Sequence, residues 1–215
     1  MARIYDEQAV CLTYSHDAMR PWQRCVKRVT DFVCALFGIV VLSPVFLAIA
    51  IVMKFQKNGP VIFSQKRIGY GGKPFTIYKF RTLSTVVEDE GPQLIAKSDS
   101  VKSTRFERFL REHHLDELPQ LWNVLIGDMS LVGPRPERKY YIDKIMQHSH
   151  DYMLIYEMRP GLTSEATLYN GYTDTMEKML KRLDMDLRYL NNRSLGLDTK
   201  IILSTVYGML SGKKF

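Results

Sequence analysis

The sequence predicts an α+β fold associated with a membrane. Its parts are a re-entrant helix-break-helix anchor near the N-terminus, a short β-hairpin, and amphipathic helices at the membrane interface. Three observations predict it. Phe32 to Met53 reads FVCALFGIVVLSPVFLAIAIVM without a charged side chain, two alternating segments flank a glycine-rich turn, and helix-periodic stretches fill the rest. The chain divides into a basic N-terminal segment (1–28), a membrane helix (29–57) and a cytoplasmic domain (58–215).

The apolar run is about 33 Å long as a straight helix, close to a hydrocarbon core of roughly 30 Å. Two features favour a bend over a span. Pro44 removes a backbone donor in mid-helix, and Ser43 beside it can hydrogen-bond a freed carbonyl. Arg20, Arg24, Lys27 and Arg28 precede the run and Lys54, Lys57, Lys66 and Arg67 follow it, so the positive-inside rule puts both ends on the cytoplasmic side. The alternative is a spanning helix whose proline is tolerated by its neighbours. The run starts too far along the chain, and is too long, for a cleavable signal peptide. Asp31, at its entry, is expected at the helix start or an interface.

The segments VIFSQKRIG and FTIYKFRT, separated by a turn at Gly71-Gly72-Lys73-Pro74, predict the hairpin. An extended Phe75–Thr82 places Lys79 and Arg81 on one face with Ile77, so two cations are expected to point together. Thr85 to Ser103 is polar and aperiodic and reads as a loop able to act as a lid. Arg105 to His114 predicts a short helix. Pro119 suits the first position of the next, PQLWNVLI, which Gly127 ends. Asp143–Met158 and Asp174–Tyr189 also read as helices. Asp198–Leu210 carries an apolar stripe suited to the core or a membrane surface.

With 215 residues, 46% of them hydrophobic and 25% charged, the chain has material for one cored unit and excludes a disordered or collagen-like protein. Three cysteines, Cys11, Cys25 and Cys34, exclude a disulfide framework and a four-cysteine zinc site and indicate a reducing compartment. A surplus of basic residues, 30 against 23 acidic, suits nucleic acid, anionic lipid or phosphorylated substrates. Nucleic acid is disfavoured because the cations are dispersed and no recognition motif accompanies them.

Chemistry concentrates in LDELPQLWNVLIGDMSLVGPRPE, Leu115 to Glu137. It holds the carboxylate pair Asp116 and Glu117, a third carboxylate at Asp128, and Arg135 between two prolines that stiffen its loop into an anion clamp. The pair can bind Mg2+, with substrate phosphates completing the shell, or one member can attack phosphorus, with Arg111, Lys79 and Arg81 as candidate cations. Alternatively both acids only complement a helix dipole. His113 and His114 lack metal-ligand spacing and read as surface residues, and Gly69, Gly71 and Gly72 read as a turn. Asp186 and Tyr189 belong either to a site or to an amphipathic helix.

The apolar run broken at Ser43-Pro44, then GPVIFSQKRIG, YKFRT, RFLREHHLDELPQLWNVLIGDMSLVGPRPE, RPGLT and LDTKIILSTV, together resemble the monotopic bacterial phosphoglycosyl transferases, the bacterial sugar transferases that start glycoconjugate and polysaccharide assembly. The resemblance covers about Lys27 to Leu210 and is to the minimal catalytic form, without additional membrane helices. It implies that Asp116 is a nucleophile that takes a sugar 1-phosphate from a UDP-sugar, releases UMP, and passes the phosphosugar to polyprenol (undecaprenyl) phosphate. Glu117 completes the dyad and Mg2+ assists. Lys79 and Arg111 match cations of the family's site, Arg135 matches the nucleotide-serving arginine, and Asp186 aligns with a later acid. Residues 58–215 are then the catalytic domain, at the cytoplasmic face of a bacterial inner membrane, with lipid as a partner and room for a homodimer. The family's run after Pro-Gly-Leu-Thr departs here, so Thr163 to Tyr172 is a candidate specificity loop and sugar identity does not carry over. The competing class is a non-catalytic, membrane-tethered basic binder.

Overall fold

The structure, a computed structural model, describes residues 17–56, 59–82, 103–170, 173 and 175–211. Cys11, Lys57, Gly171, Tyr172 and Asp174 lie outside these, as does the expected lid loop 85–103 apart from Ser103. The chain opens with helix α1 (Pro21–Val41) and helix α2 (Ser43–Phe55), bent by 57° at Leu42. No single described helix is long and apolar enough to cross a membrane, whereas the bent pair passes that test jointly.

The bend has a local cause. Pro44 has no N–H to give the carbonyl of Val40 one turn earlier, and the Ser43 hydroxyl donates to that oxygen instead, at 2.7 Å. Leu42 still donates to Gly38 and Phe46 to Leu42, each at 2.9 Å, so the chain turns without abandoning its hydrogen bonds.

Strands β1 (Ile62–Ile68) and β2 (Pro74–Phe80) form the expected antiparallel hairpin, with Phe63 opposite Lys79 and Gln65 opposite Ile77. A 3-10 turn at Tyr70–Gly72 joins them, and Gly71 and Gly72 adopt φ of 65° and 71°, angles that favour glycine. Helix α3 (Arg105–Glu112) starts at a capping box in which Thr104 accepts from Glu107 N–H and the Glu107 side chain accepts from Thr104 N–H. A 3-10 turn, Leu115–Glu117, leads into α4 (Gln120–Ile126), which ends at Gly127 with φ 97°. The acidic pair therefore occupies its own turn, just ahead of the helix start expected for it.

Beyond α4 the sequence reading missed a small parallel sheet. Strand β3 (Ser130–Val132) pairs with β4 (Gly161–Thr163). Three-residue strands carry too little alternation to register in a sequence window. Between them lie α5 (Lys139–Met146) and α6 (Tyr152–Ile155), where one helix from Asp143 to Met158 was expected. The Ser149 hydroxyl donates to Asp151 and accepts from its N–H, a local alternative that interrupts the helix. Helix α7 (Glu165–Asn170), also not anticipated, replaces most of the expected loop at Thr163–Tyr172. Helices α8 (Met176–Asn192) and α9 (Leu195–Leu210) close the fold, capped by the Thr175 and Ser194 side chains.

Three apolar clusters hold these elements. The largest joins α5, α6, α8 and α9 through Ile142, Ile145, Ile155, Leu183, Leu190 and Ile201. A second packs Ala35 of α1 against Ile77, Leu121, Val124 and Met129. The third packs Ile49 and Met53 of α2 against Phe80 and Leu110. Polar contacts lock the same interface. Asp31, 4% exposed, accepts from the Ser130 hydroxyl at 2.7 Å and Leu131 N–H at 3.1 Å, and so is an interface residue inside α1. Arg28 donates to the carbonyls of Val124 and Leu125 at the C-terminal end of α4. The opposite faces of α1 and α2 leave Phe32, Val33, Leu36, Phe37, Val40 and Phe55 exposed, an accumulation of large apolar side chains of the kind that marks an interaction surface.

Candidate active site

The site is assembled by the turn at Leu115–Glu117. Leu115 and Leu118 pack onto the Phe80–Leu110 cluster and Leu121 onto the α1 cluster, so the acidic pair is pinned between two pieces of core. The turn is entered through His114 in the left-handed region at φ 54°, the single described non-glycine residue with positive φ. Such strain is stabilised only by its surroundings, and it sits two residues before Asp116. The histidines differ from expectation in part. His113 is exposed and its ring lies over Phe109, whereas His114 is half-buried and burial, opposed by the charge of Glu117, lowers its pKa.

Glu117 is the hub. Its Oε1 accepts from Lys79 Nζ at 2.6 Å and from Arg135 Nη2 at 2.9 Å. Burial works to raise its pKa, but Arg135 and Lys79 together hold the carboxyl well below the usual carboxylate range. Arg135 is shifted upward in return, chiefly by Glu117 against the effect of burial. Its side chain keeps 36% exposure, so it can hold Glu117 and still face an incoming anion.

Asp116 differs from its neighbour in every respect that matters to chemistry. It is 6% exposed, and its Oδ1 has no hydrogen-bond partner among the described residues. Burial, then the charge of Glu117, pushes its pKa up to about 6 against the pull of Lys79 and Arg135. Adjacent carboxylates are thus split into one neutralised by cations and one with an oxygen that no described donor reaches, the kind of division that can separate a positioning role from a reacting one. At neutral pH Asp116 is still mainly ionised, with an Oδ1 that no described donor occupies.

Of the other residues singled out in the sequence, the structure brings Lys79 and Arg135 to the dyad and places the remainder elsewhere. Arg81 does not point with Lys79. Its guanidinium is 2% exposed and donates to the Pro60 carbonyl at 2.8 Å and to Glu107 at 3.4 Å, whereas Lys79 reaches Glu117, although Arg81 N–H still bonds the Val61 carbonyl at 3.0 Å in line with the hairpin. Arg111, in the last turn of α3, makes no ion pair with either carboxylate. Asp128 follows the Gly127 cap, at the opposite end of α4 from the dyad. Asp186 lines a small cavity with Arg135, Glu137, Tyr152 and Arg182, and burial lifts its pKa to about 7.

Asn123 was not anticipated. Fully buried, it donates to the Thr76 carbonyl at 2.7 Å and accepts from Tyr78 N–H at 3.2 Å, fixing α4 to β2 one residue from Lys79. Its signal was available as a polar residue on the buried side of an apolar helix. Glu137, Arg67 and Arg182 were missed because their partners are far apart in sequence. Backbone contact also shapes the clamp: β-carbons at Gly133 and Gly161 would lie 2.3 Å from Arg159 O and 2.1 Å from Gly133 N, so only glycine lets β3 and β4 approach beside Pro134-Arg135-Pro136.

Among the described residues no group of three His, Cys, Asp or Glu side chains could hold a metal. Mg2+ needs only one or two protein carboxylates when substrate phosphates complete its shell, and the unpartnered Oδ1 of Asp116 fits that requirement. Glu117, engaged at Oε1 by two cations, fits it less well.

Comparison with known proteins shows the family of the chain. The family profile for bacterial sugar transferases matches residues 22–212. A UDP-glucose:undecaprenyl-phosphate glucose-1-phosphate transferase of Klebsiella pneumoniae is 41% identical over 183 residues, which is 84% of this chain and 39% of that protein. A UDP-N-acetylgalactosamine-undecaprenyl-phosphate N-acetylgalactosaminephosphotransferase of Aeromonas hydrophila is 37% identical over 187 residues, 87% of this chain and 44% of that protein. An uncharacterized sugar transferase of Bacillus subtilis is 37% identical over 185 residues, 86% of this chain and 87% of that protein. The chain spans about two-fifths of the length of the first two relatives and most of the third. Since the matched region runs from the start of the bent helix pair through the dyad and the Arg135 loop to the end of α9, the chain belongs to the bacterial sugar transferase family.

Proposed function

We propose that this chain transfers a sugar 1-phosphate from a UDP-sugar to polyprenol (undecaprenyl) phosphate, with Asp116 as nucleophile. The observation that carries the reading is a buried aspartate with an unpartnered oxygen beside a glutamate that gathers Lys79 and Arg135. An Asp116 oxygen attacks the sugar-bearing phosphorus, an O–P bond forms, and the bond to UMP breaks with its electron pair leaving on UMP. An oxygen of the lipid phosphate then attacks the same phosphorus and the Asp116 carboxylate departs, so the enzyme returns to its starting state. Arg135 and Lys79 spread the charge of the diphosphate, and Glu117 keeps both cations aimed while limiting their excess charge. Arg111 can join them only by swinging from the end of α3. Asp116 would hold Mg2+, alone or with Glu117; the ion's chemistry there is to polarise phosphoryl oxygens.

The same reading assigns α1 and α2 to a re-entrant anchor in a bacterial inner membrane, with both chain ends at the cytoplasmic face. Exposed apolar faces, the Pro44 bend and basic residues at both ends support it. Single cysteines introduced near each end, after Cys11, Cys25 and Cys34 are replaced, are expected to label only in opened cells. Labelling of one end in intact cells would mean a spanning helix.

The test of the chemistry is UMP release from a panel of UDP-sugars with Mg2+, beginning with UDP-glucose and UDP-N-acetylgalactosamine because relatives bear those names. Asp116→Ala is expected to abolish release, and intact-mass measurement of the wild type is expected to show a phosphosugar adduct lost in that variant. Undiminished release would remove Asp116 from its role. No release by wild type from any donor would favour the non-catalytic membrane-tethered binder.

A further inference from the structure

Behind Arg135, two guanidinium groups hold one carboxylate. Arg182 of α8 donates to Glu137 Oε1 at 2.9 Å, and Arg67 of β1 lies 3.5 Å from Oε2. Arg67 also donates to the Pro136 carbonyl at 3.2 Å, while Ile68 N–H donates to the Glu137 carbonyl at 3.2 Å and Gly161 N–H to that of Pro134 at 2.9 Å. The carbonyls of Pro134, Pro136 and Glu137 around Arg135 are therefore taken by β4 and β1. Arg135, Glu137 and Arg182 line the same cavity, and the Nε atoms of Arg67 and Arg182 have no described partner. Burial and the charges of Arg135 and Arg138 lower the Arg67 pKa to about 10, with Glu137 opposing. Three buried or half-buried cations repel one another, and the carboxylate that lies among them is that of Glu137. Without it, Glu117 alone would hold Arg135, which has the most room of the three to shift because its side chain is the most open to solvent.

Resting on the phosphotransfer reading above, we propose that Glu137 is a positioning residue that, clamped by Arg67 and Arg182, keeps the Arg135 guanidinium aimed at the dyad and at the diphosphate of the donor. Arg135 is the group that meets substrate; Glu137 acts through it.

The test is a double-mutant cycle on the full chain in detergent, using Glu137→Gln, Arg135→Ala and the pair, with UMP release as readout and thermal unfolding as a check on folding. Glu137→Gln is expected to raise KM for the UDP-sugar about tenfold or more, of the order seen when a charged or positioned group is displaced. Glu137→Asp should recover part of the loss. In the Arg135→Ala background the same change is expected to have almost no effect. An equal factor in both backgrounds would overturn the proposal. Should Glu137→Gln fail to fold, Arg182→Lys, which keeps the charge and loses the fork, is expected to show the same dependence on Arg135, and independence would overturn it. If wild type releases no UMP from any donor, the phosphotransfer reading fails separately. Pyrophosphate affinity then decides, expected weaker in Glu137→Gln than in wild type and unchanged between Arg135→Ala and the double variant. Equal affinity of wild type and Glu137→Gln would sink the positioning role.

Discussion

Asp186→Asn isolates one buried ionisation whose sign can be worked out. Asp186 is 3% exposed, and burial, with help from Glu137 and Glu165 and against Arg182, lifts its pKa from an ordinary 3.8 to about 7. Between those values the folded chain holds a proton that the unfolded chain has released. Stability therefore falls as pH rises from below about 4 to above about 7, and is level outside that window. The full difference is on the order of 4 kcal/mol, of which roughly 1.5 is already felt at pH 5. Asparagine keeps the shape and cannot ionise, so the variant should be more stable than wild type at pH 8, with the gap narrowing at pH 5. For a chain of this size the gap corresponds to roughly 10 °C in Tm at pH 8. Thermal unfolding of both proteins in one detergent, across pH 4 to 8, measures it. A variant less stable than wild type at high pH, with the gap widening upward, would mean that Asp186 is ionised and paired with Arg182 in the folded state, and the reasoning from burial would be wrong.

Three further outcomes follow from the site. Glu117→Gln strips the counter-charge from Lys79 and Arg135; UMP release should fall by about 100-fold or more while pyrophosphate, titrated calorimetrically, binds at least as tightly as to wild type. Weaker pyrophosphate binding would show that Glu117 holds the cations in place more than it competes for them. Arg81→Met leaves Glu107 buried without its guanidinium and should destabilise the fold by about 3 kcal/mol or more, read as a lowered Tm. Its kcat per folded molecule should be unchanged, and a selective loss of kcat would return Arg81 to the site. Asn123→Ala removes two buried hydrogen bonds between α4 and β2 and should cost roughly 2–4 kcal/mol by denaturant titration, lowering turnover with it because Lys79 is next along the strand.

What the sequence revealed and what it hid divide along range of interaction. The Ser43-Pro44 bend, the hairpin, the Gly127 cap and the acidic pair are settled by neighbours within a turn or two, and each appears where the pattern put it. Alternation put Lys79 and Arg81 on one face but could not say which acid each would reach: Lys79 goes to Glu117 and Arg81 to Glu107. The parallel β3–β4 pair depends on residues about thirty positions apart, and its strands are too short to announce themselves. Lys79 and Arg135 were legible as cations, but that both converge on one oxygen of Glu117 and leave Oδ1 of Asp116 without a described partner is a tertiary fact that composition cannot carry.

The bent helix pair is part of the site's framework more than a tether for it. Arg28 of α1 caps the carbonyl end of α4, Ala35 packs on Leu121 and Val124, and Met53 of α2 meets Phe80 and Leu110 at the base of the dyad turn. The helix that follows the dyad is thus held at its middle by Asn123 on β2 and at its C-terminal end by Arg28 of α1. If α1 and α2 form the proposed anchor, the depth their exposed apolar faces set is passed through packed side chains to the dyad turn. On this account, loosening the α1–α4 contact should impair transfer to a lipid phosphate more than it impairs UMP release from a soluble donor, because only the former depends on where the carboxylate sits relative to the membrane surface.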